Sequence, residues 1–327
     1  MEKKIKNNRE SIKKIISPYL KIVRFDHWIK QLFIIPGMVF AISLIKHNNL
    51  SEIKLFHIIL GFISTCCIAS ANYIINEWLD AGFDKYHPTK KDRPVVAESL
   101  KPFIIILEYI VFAVAGLISA WFVSMPVFLS VLILLFMGII YNVPPVRSKE
   151  IPYLDVLSES FNNALRLLIG WFIIAPYFLP PMSIIFGYWM GGAFLMATKR
   201  FSEYRMIVEE GGKEHAGLYR KSFKYYNEKL LLLSAVFYAL LSVFLCGIFM
   251  IKYRIELLIA IPFLCGLFCI YLNICYKYDS SAQKPEKLFK EKALLLYMLF
   301  FIILIMVLMI IRLPFLSLFQ ETIIISL

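Results

Sequence analysis

Residues 54–84 read KLFHIILGFISTCCIASANYIINEWLDAGFD, an apolar run that turns polar at its end with Asn76, Glu77, Asp80 and Asp84. A run of this length and character crosses about 30 Å of hydrocarbon as a helix. Helical periodicity then sets Asn76, Asp80 and Asp84 at i, i+4 and i+8, on one face at the membrane boundary. Two carboxylates and an amide converging there repel one another unless a hard cation lies between them. Mg²⁺, held by few protein ligands plus substrate phosphates, suits that set.

Further stretches of the same kind lie on either side, at 30–46, 102–121, 125–141, 153–176, 182–201, 229–250, 256–276 and 293–316, so with 54–78 the chain reads as nine spans. The fold class expected is an all-α polytopic membrane protein, with nine transmembrane helices in one bundle. Composition agrees: 60% of the 327 residues are hydrophobic, 28 are Phe, 18% are charged and the mean hydropathy is +0.71. A water-soluble globule with a polar skin is excluded, as are collagen-like, disordered and secreted disulfide-rich classes. The net charge of +12 sits in short loops between spans, which argues orientation and not a nucleic-acid partner.

With the N-terminus in the cytoplasm, the inside segments 1–30, 79–101, 142–152, 199–229 and 277–292 carry 29 of the 35 Lys and Arg. That asymmetry supports nine spans, a cytoplasmic N-terminus and active site, and a C-terminus outside the plasma membrane. Residues 1–30 read as a cytoplasmic segment whose Ser11–Trp28 portion lies along the interface, and 31–327 as the membrane domain. No cleavable signal peptide is expected, because the first 30 residues are basic and mostly polar. The six cysteines lie inside apolar runs without CxxC or nearby His and are expected as core residues.

After the acidic face comes His87-Pro88-Thr89-Lys90-Lys91-Asp92-Arg93-Pro94, where two prolines stiffen a loop presenting Lys90, Lys91 and Arg93. Cations this close to a metal site suit a diphosphate. The fifth span carries Asp155, Glu159, Asn162, Asn163 and Arg166, a polar stripe that must face a cavity. Arg166 is expensive at that depth unless it meets a carboxylate or phosphate, and Glu159 and Asn162 are within helical reach. The segment 199–229 contains no Asp, and it opens with the basic cluster Lys199-Arg200-Phe201-Ser202-Glu203-Tyr204-Arg205.

NxxxDxxxD at the end of the second span followed by HPTKxxRP resembles the UbiA-type intramembrane prenyltransferase superfamily. The likeness extends to Tyr141 closing the fourth span, to Pro152-Tyr153-Leu154-Asp155 opening the fifth, and to the span count and orientation. It implies a helical bundle around a central cavity, a Mg²⁺-dependent cytoplasmic active site and a polyprenyl substrate between helices. Glu77 departs from the Asp usual after that Asn. A second departure is larger: prenyl diphosphate users resemble one another in a DxxxD between spans six and seven, and here Lys199 to Arg205 stand instead. That cluster, together with Arg24-Phe25-Asp26-His27-Trp28-Ile29-Lys30 before span one, is similar to the decaprenyl-phosphate phosphoribosyltransferase branch.

The resulting expectation is a transferase that moves 5-phosphoribose from phosphoribosyl diphosphate to a polyprenyl phosphate. Asn76, Asp80 and Asp84 hold Mg²⁺. Asp80, Asp84, Lys199, Arg200 and Glu203 form the catalytic set, and Lys30, Lys90, Arg93, Tyr141, Arg147, Lys149, Asp155, Arg166 and Arg205 contact substrates. The alternative is prenyl transfer from a polyprenyl diphosphate to an aromatic or other acceptor. A transporter or lipid-binding scaffold is the rival outside enzymes, but no inverted repeat is visible and the charged cluster lies on one side only.

Overall fold

The structure is a computed structural model, and it describes residues 17–45, 55–86, 90–97, 100–277, 280–283, 288 and 290–319. Among the described residues every regular element is helical. The long helices are α1 (Ile35–Leu44), α2 (Leu55–Asp84), α3 (Pro102–Trp121), α4 (Met125–Asn142), α5 (Leu154–Ile174), α6 (Met182–Tyr219), α7 (Glu228–Tyr253), α8 (Ile261–Cys275) and α9 (Lys292–Ile310). Pro stands in the first turn of α1, α3, α4 and α8, where its missing N–H costs nothing. Ser124 and Asn227 cap α4 and α7 through their side chains.

Among the described residues, seven stretches are long and apolar enough to cross a membrane: Ser17–Leu44, α2, α3, α4, α7, Ile255–Cys275 and α9. The protein is an integral, multi-pass membrane protein. Helices α5 and α6 occupy the expected fifth and sixth spans but fall below that threshold among the described residues. In α5 the cause is the stripe of Asp155, Glu159, Asn162, Asn163 and Arg166; in α6 it is Gly, Ser and Tyr ahead of the cluster at Lys199. The first span also starts earlier than expected. Residues 17–22 are helical, Arg24 adopts a left-handed conformation (φ 57°), and a 3₁₀ stretch over Phe25–Ile34 leads into α1. The part of the expected interfacial helix before residue 17 lies outside the described residues.

The chain divides into two compact units, residues 1–178 with 211–225, and residues 179–210 with 226–327. In the first, α2 packs against α3 and α4, while α5 packs against α1 and α4. The core gathers Ile68, Val131, Leu134, Leu165, Ile169 and Trp171. Two glycines set the α1–α5 approach: a Cβ on Gly37 would strike the Leu167 carbonyl, and one on Gly170 the Ile34 carbonyl. Ser64 donates to the Gly116 carbonyl at 2.7 Å and Asn72 to the Leu134 carbonyl at 3.0 Å, polar ties that hold α3 and α4 to α2.

In the second unit Ser242 donates to the Gly187 carbonyl at 2.8 Å, tying α7 to α6, and Tyr297 of α9 donates to the Phe263 carbonyl of α8 at 3.0 Å. Large apolar side chains such as Phe103, Ile110, Phe237, Leu240 and Leu296 are exposed along the helices, the surface a bilayer would cover. All six cysteines are free thiols. Cys66, Cys67 and Cys275 are buried as expected, but Cys265 and Cys269 are exposed, because α8 turns that face outward.

Candidate active site

The end of α2, the end of α4 and the turn between α4 and α5 converge on Asp80. Arg147 Nη2 donates to Asp80 Oδ1 at 2.9 Å, and Lys149 Nζ lies 2.5 Å from the same oxygen. Lys149 also donates to Asn142 Oδ1 at 2.7 Å, and that oxygen receives the Asn76 amide at 2.5 Å. Arg147 reaches the Asn142 carbonyl at 3.0 Å, pairs with Glu150 at 2.6 Å and stacks over Phe83 at 5.1 Å. Lys221 closes the far side of Glu150 at 2.7 Å. Arg147 adopts a left-handed backbone (φ 34°), a strain that a non-glycine residue carries only where its surroundings enforce it.

Both cations are nearly enclosed. Burial pushes the Lys149 ammonium down to about 8, although the Asp80 carboxylate beside it opposes that shift. Asp84, one turn beyond Asp80, pairs with Arg93 at 2.6 Å. Burial works against the charge of Arg93, but the Asp84 and Glu77 carboxylates hold its guanidinium above the usual range.

The helix does present Asn76, Asp80 and Asp84 along one edge of α2, as their spacing predicts. Among the described residues no three His, Cys, Asp or Glu converge as a metal group. The donor chemistry still fits a hard cation: two carboxylates, plus an amide whose nitrogen is committed to Asn142 and whose oxygen is therefore the remaining ligand atom. In this state Arg147, Lys149 and Arg93 neutralise the two aspartates.

Tyr141 donates to Glu159 at 2.7 Å and its ring lies 5.6 Å from the Lys149 ammonium, so the fifth-span stripe connects to the Asp80 cluster. Arg166 donates to Gln31 at 2.8 Å and to Asn163 at 3.0 Å. Gln31, a fully buried residue before α1, was not foreseen as its partner. Lys30 lies 5.9 Å from the Tyr73 ring. Asp155 is fully buried, accepts from Ser222 at 3.1 Å and faces Arg220 at 4.0 Å, which fastens the 220–222 turn to the start of α5. His215 meets the Tyr86 carbonyl at 2.9 Å in the same strip of chain.

In the second unit, Arg200 and Glu203 are both buried and pair at 3.1 Å within α6. Arg205 donates to the Tyr276 carbonyl at 3.1 Å, faces Glu228 at 3.5 Å and lies between the Phe201 and Tyr276 rings. Lys199 is half-buried on the same helix. The side chain of Lys90 and residues His87 to Thr89 lie outside the described residues. The residues that sequence reasoning passed over are Asn142, Glu150, Phe83 and Gln31; an amide closing an apolar helix, as Asn142 does, was the one available signal.

The UbiA prenyltransferase family model matches residues 33–305. The chain belongs to the UbiA prenyltransferase family. Among curated relatives of this UbiA protein, the decaprenyl-phosphate phosphoribosyltransferase of Mycolicibacterium smegmatis is 25% identical over 229 residues, covering 67% of this chain and 65% of that one. The enzyme of the same name from Mycobacterium tuberculosis is 23% identical, covering 66% of this chain and 68% of its own. The protoheme IX farnesyltransferase of Archaeoglobus fulgidus is 27% identical over 282 residues, covering 84% of this chain and 94% of its own. A UbiA homolog from Archaeoglobus fulgidus, solved with GPP and Mg²⁺, shares the fold with a TM-score of 0.65 at 20% identity, covering 90% of this chain and all of that one.

Proposed function

We propose that this UbiA transferase moves 5-phosphoribose from phosphoribosyl diphosphate to a polyprenyl phosphate and releases diphosphate. The observation that carries the reading is the Lys199 to Arg205 segment, where a second carboxylate motif would hold a lipid diphosphate. It contains one carboxylate, Glu203, already paired with Arg200. Curated relatives named decaprenyl-phosphate phosphoribosyltransferase support the same branch.

On this reading Asn76, Asp80 and Asp84 hold Mg²⁺, which would supply charge neutralisation to the departing diphosphate. Arg147, Lys149 and Arg93 turn from the aspartates toward phosphate oxygens, and Lys90 adds a further cation there. An oxygen of the lipid phosphate forms the new bond to the anomeric carbon as the bond to diphosphate breaks. Because a phosphate is already ionised, no strong base is required, and positioning carries much of the rate. Lys199, Arg200 and Arg205 face the sugar's 5-phosphate or the acceptor phosphate, while Tyr141, Asp155, Arg166 and Lys30 shape the substrate space. Nine spans around a central cavity, with residues 1–30 as a cytoplasmic segment, the active site inside the plasma membrane and the C-terminus outside, complete the proposal.

The second reading, prenyl transfer from a polyprenyl diphosphate, is favoured by the farnesyltransferase relative and by the GPP named in the solved homolog. Building the missing motif separates the two. Lys199→Asp with Glu203→Asp puts two carboxylates beside a phosphate site and destroys phosphoribosyl transfer in a protein that still melts cooperatively. Activity retained, or gained with a polyprenyl diphosphate and an aromatic acceptor, would overturn the phosphoribosyl reading.

A further inference from the structure

A cavity of about 460 Å³ opens in the first unit between residues 20–26, the end of α2 and the turn at 92–94. Its polar wall consists of Lys21, Arg24, Asp26, Glu77, Asp92 and Arg93, three cations and three carboxylates. A prenyl chain finds little to bury against here, and a bare anion would meet as many negative groups as positive ones. Glu77 decides what fits. It is 3% exposed, and its Oε1 has no hydrogen-bond partner among the described residues. An ionised carboxylate is acceptor-only, so a buried oxygen left without a donor is costly until a ligand brings one.

From the orphaned oxygen of Glu77 and the two cations, Lys21 and Arg24, that line the same cavity, we infer that this cavity binds a phosphorylated, hydroxyl-bearing small molecule, a phosphosugar. Glu77 accepts from the sugar hydroxyls, and Lys21 with Arg24 faces the phosphate. Arg93 is committed to Asp84 at 2.6 Å and forms the border with the aspartate edge of α2. Arg24 is aimed by its left-handed backbone and braced by Asp26 at 3.3 Å. The inference rests on the phosphoribosyl reading for which sugar is present: Arg93 lines this cavity and pairs with Asp84, so a sugar here borders the aspartate edge where its leaving diphosphate would lie. Glu77 then distinguishes a sugar diphosphate from a prenyl diphosphate, which has no hydroxyl to offer.

The test is binding to the full chain in lipid nanodiscs by calorimetry, with ribose 5-phosphate, 2-deoxyribose 5-phosphate, inorganic phosphate and phosphoethanolamine as probes. Ribose 5-phosphate should bind about tenfold more tightly than inorganic phosphate, the scale of one hydrogen bond to a charged group. The deoxy sugar should lose part of that gap. Glu77→Ala should close the gap without weakening phosphate binding, which also shows that the variant is folded; Lys21→Ala should weaken both. No preference for the sugar in the natural chain, a gap that persists in Glu77→Ala, or a preference for phosphoethanolamine overturns the inference. If these fail while Mg²⁺-dependent phosphoribosyl transfer persists, only the cavity assignment falls. If ribose 5-phosphate binds through Glu77 but no phosphoribosyl transfer occurs, the reaction falls and the cavity stands.

Discussion

Arg147 and Lys149 meet on a single oxygen of Asp80, at 2.9 Å and 2.5 Å, two residues apart in sequence and both nearly enclosed. Glu150, paired with Arg147, supplies the second negative charge, so these two cations face two carboxylates. On the proposed reaction, Asp80 would be released to hold the metal, and Arg147 with Lys149 would be released to the diphosphate oxygens.

Asp80→Asn removes the negative charge that both cations share and leaves a neutral amide in its place. Transfer should fall on the order of 10²-fold or more, the scale seen when a group aimed at developing charge is lost. Folding should survive, because Arg147 keeps Glu150 and Lys149 keeps Asn142. Turnover against Mg²⁺ concentration checks this; near-normal rates in limiting Mg²⁺ would remove Asp80 from the metal site.

Gln31 and Arg166 are 135 positions apart and joined at 2.8 Å. A double-mutant cycle with Gln31→Ala and Arg166→Ala, read by unfolding in lipid or mild detergent, should give a coupling of about 1.5–3 kcal/mol, as for a hydrogen bond to a charged group. A coupling near zero would make the contact incidental.

Helical period carried far in this chain, and its limit is visible at Arg166. Asn76, Asp80 and Asp84 share an edge of α2 because residues four apart are neighbours on any helix. Gln31 could not be matched to Arg166 by spacing, since only the close approach of α1 to α5 at Gly37 and Gly170 brings them together. Glu150 and Lys221 escaped for a like reason, since each reaches the site through a short segment between helices, and Asn142 meets Asn76 and Lys149 only where the end of α4 approaches α2. The polarity that marked α5 as functional also made it the least evident as a span.

Gly212 combines φ 78° with ψ 173°, a region that is essentially glycine-only. Gly212→Ala should cost about 1–3 kcal/mol. The strain falls where α6 gives way to the strip holding His215, Arg220, Lys221 and Ser222, so activity should drop with the melting temperature. An unchanged melt would mean the chain reshapes freely there.

Arg200 and Lys199 should respond differently to truncation. Arg200→Ala leaves Glu203 buried beside an empty position and should destabilise by about 3–5 kcal/mol, the cost of breaking a buried pair. Lys199→Ala, half-buried on the same helix, should spare the melt and weaken use of a phosphate-bearing substrate by about 1.5–3 kcal/mol. Thermal melts beside KM for each substrate separate the two; unchanged kinetics in Lys199→Ala would return that residue to topological duty.

The most direct test is to incubate the purified full chain, in bilayer and with Mg²⁺, with phosphoribosyl diphosphate labelled in the ribose, with and without a polyprenyl phosphate. The account predicts label entering the lipid phase only when both Mg²⁺ and the polyprenyl phosphate are present, with one diphosphate released per label transferred. Label remaining in the aqueous phase while a polyprenyl diphosphate is consumed on an aromatic acceptor would contradict it.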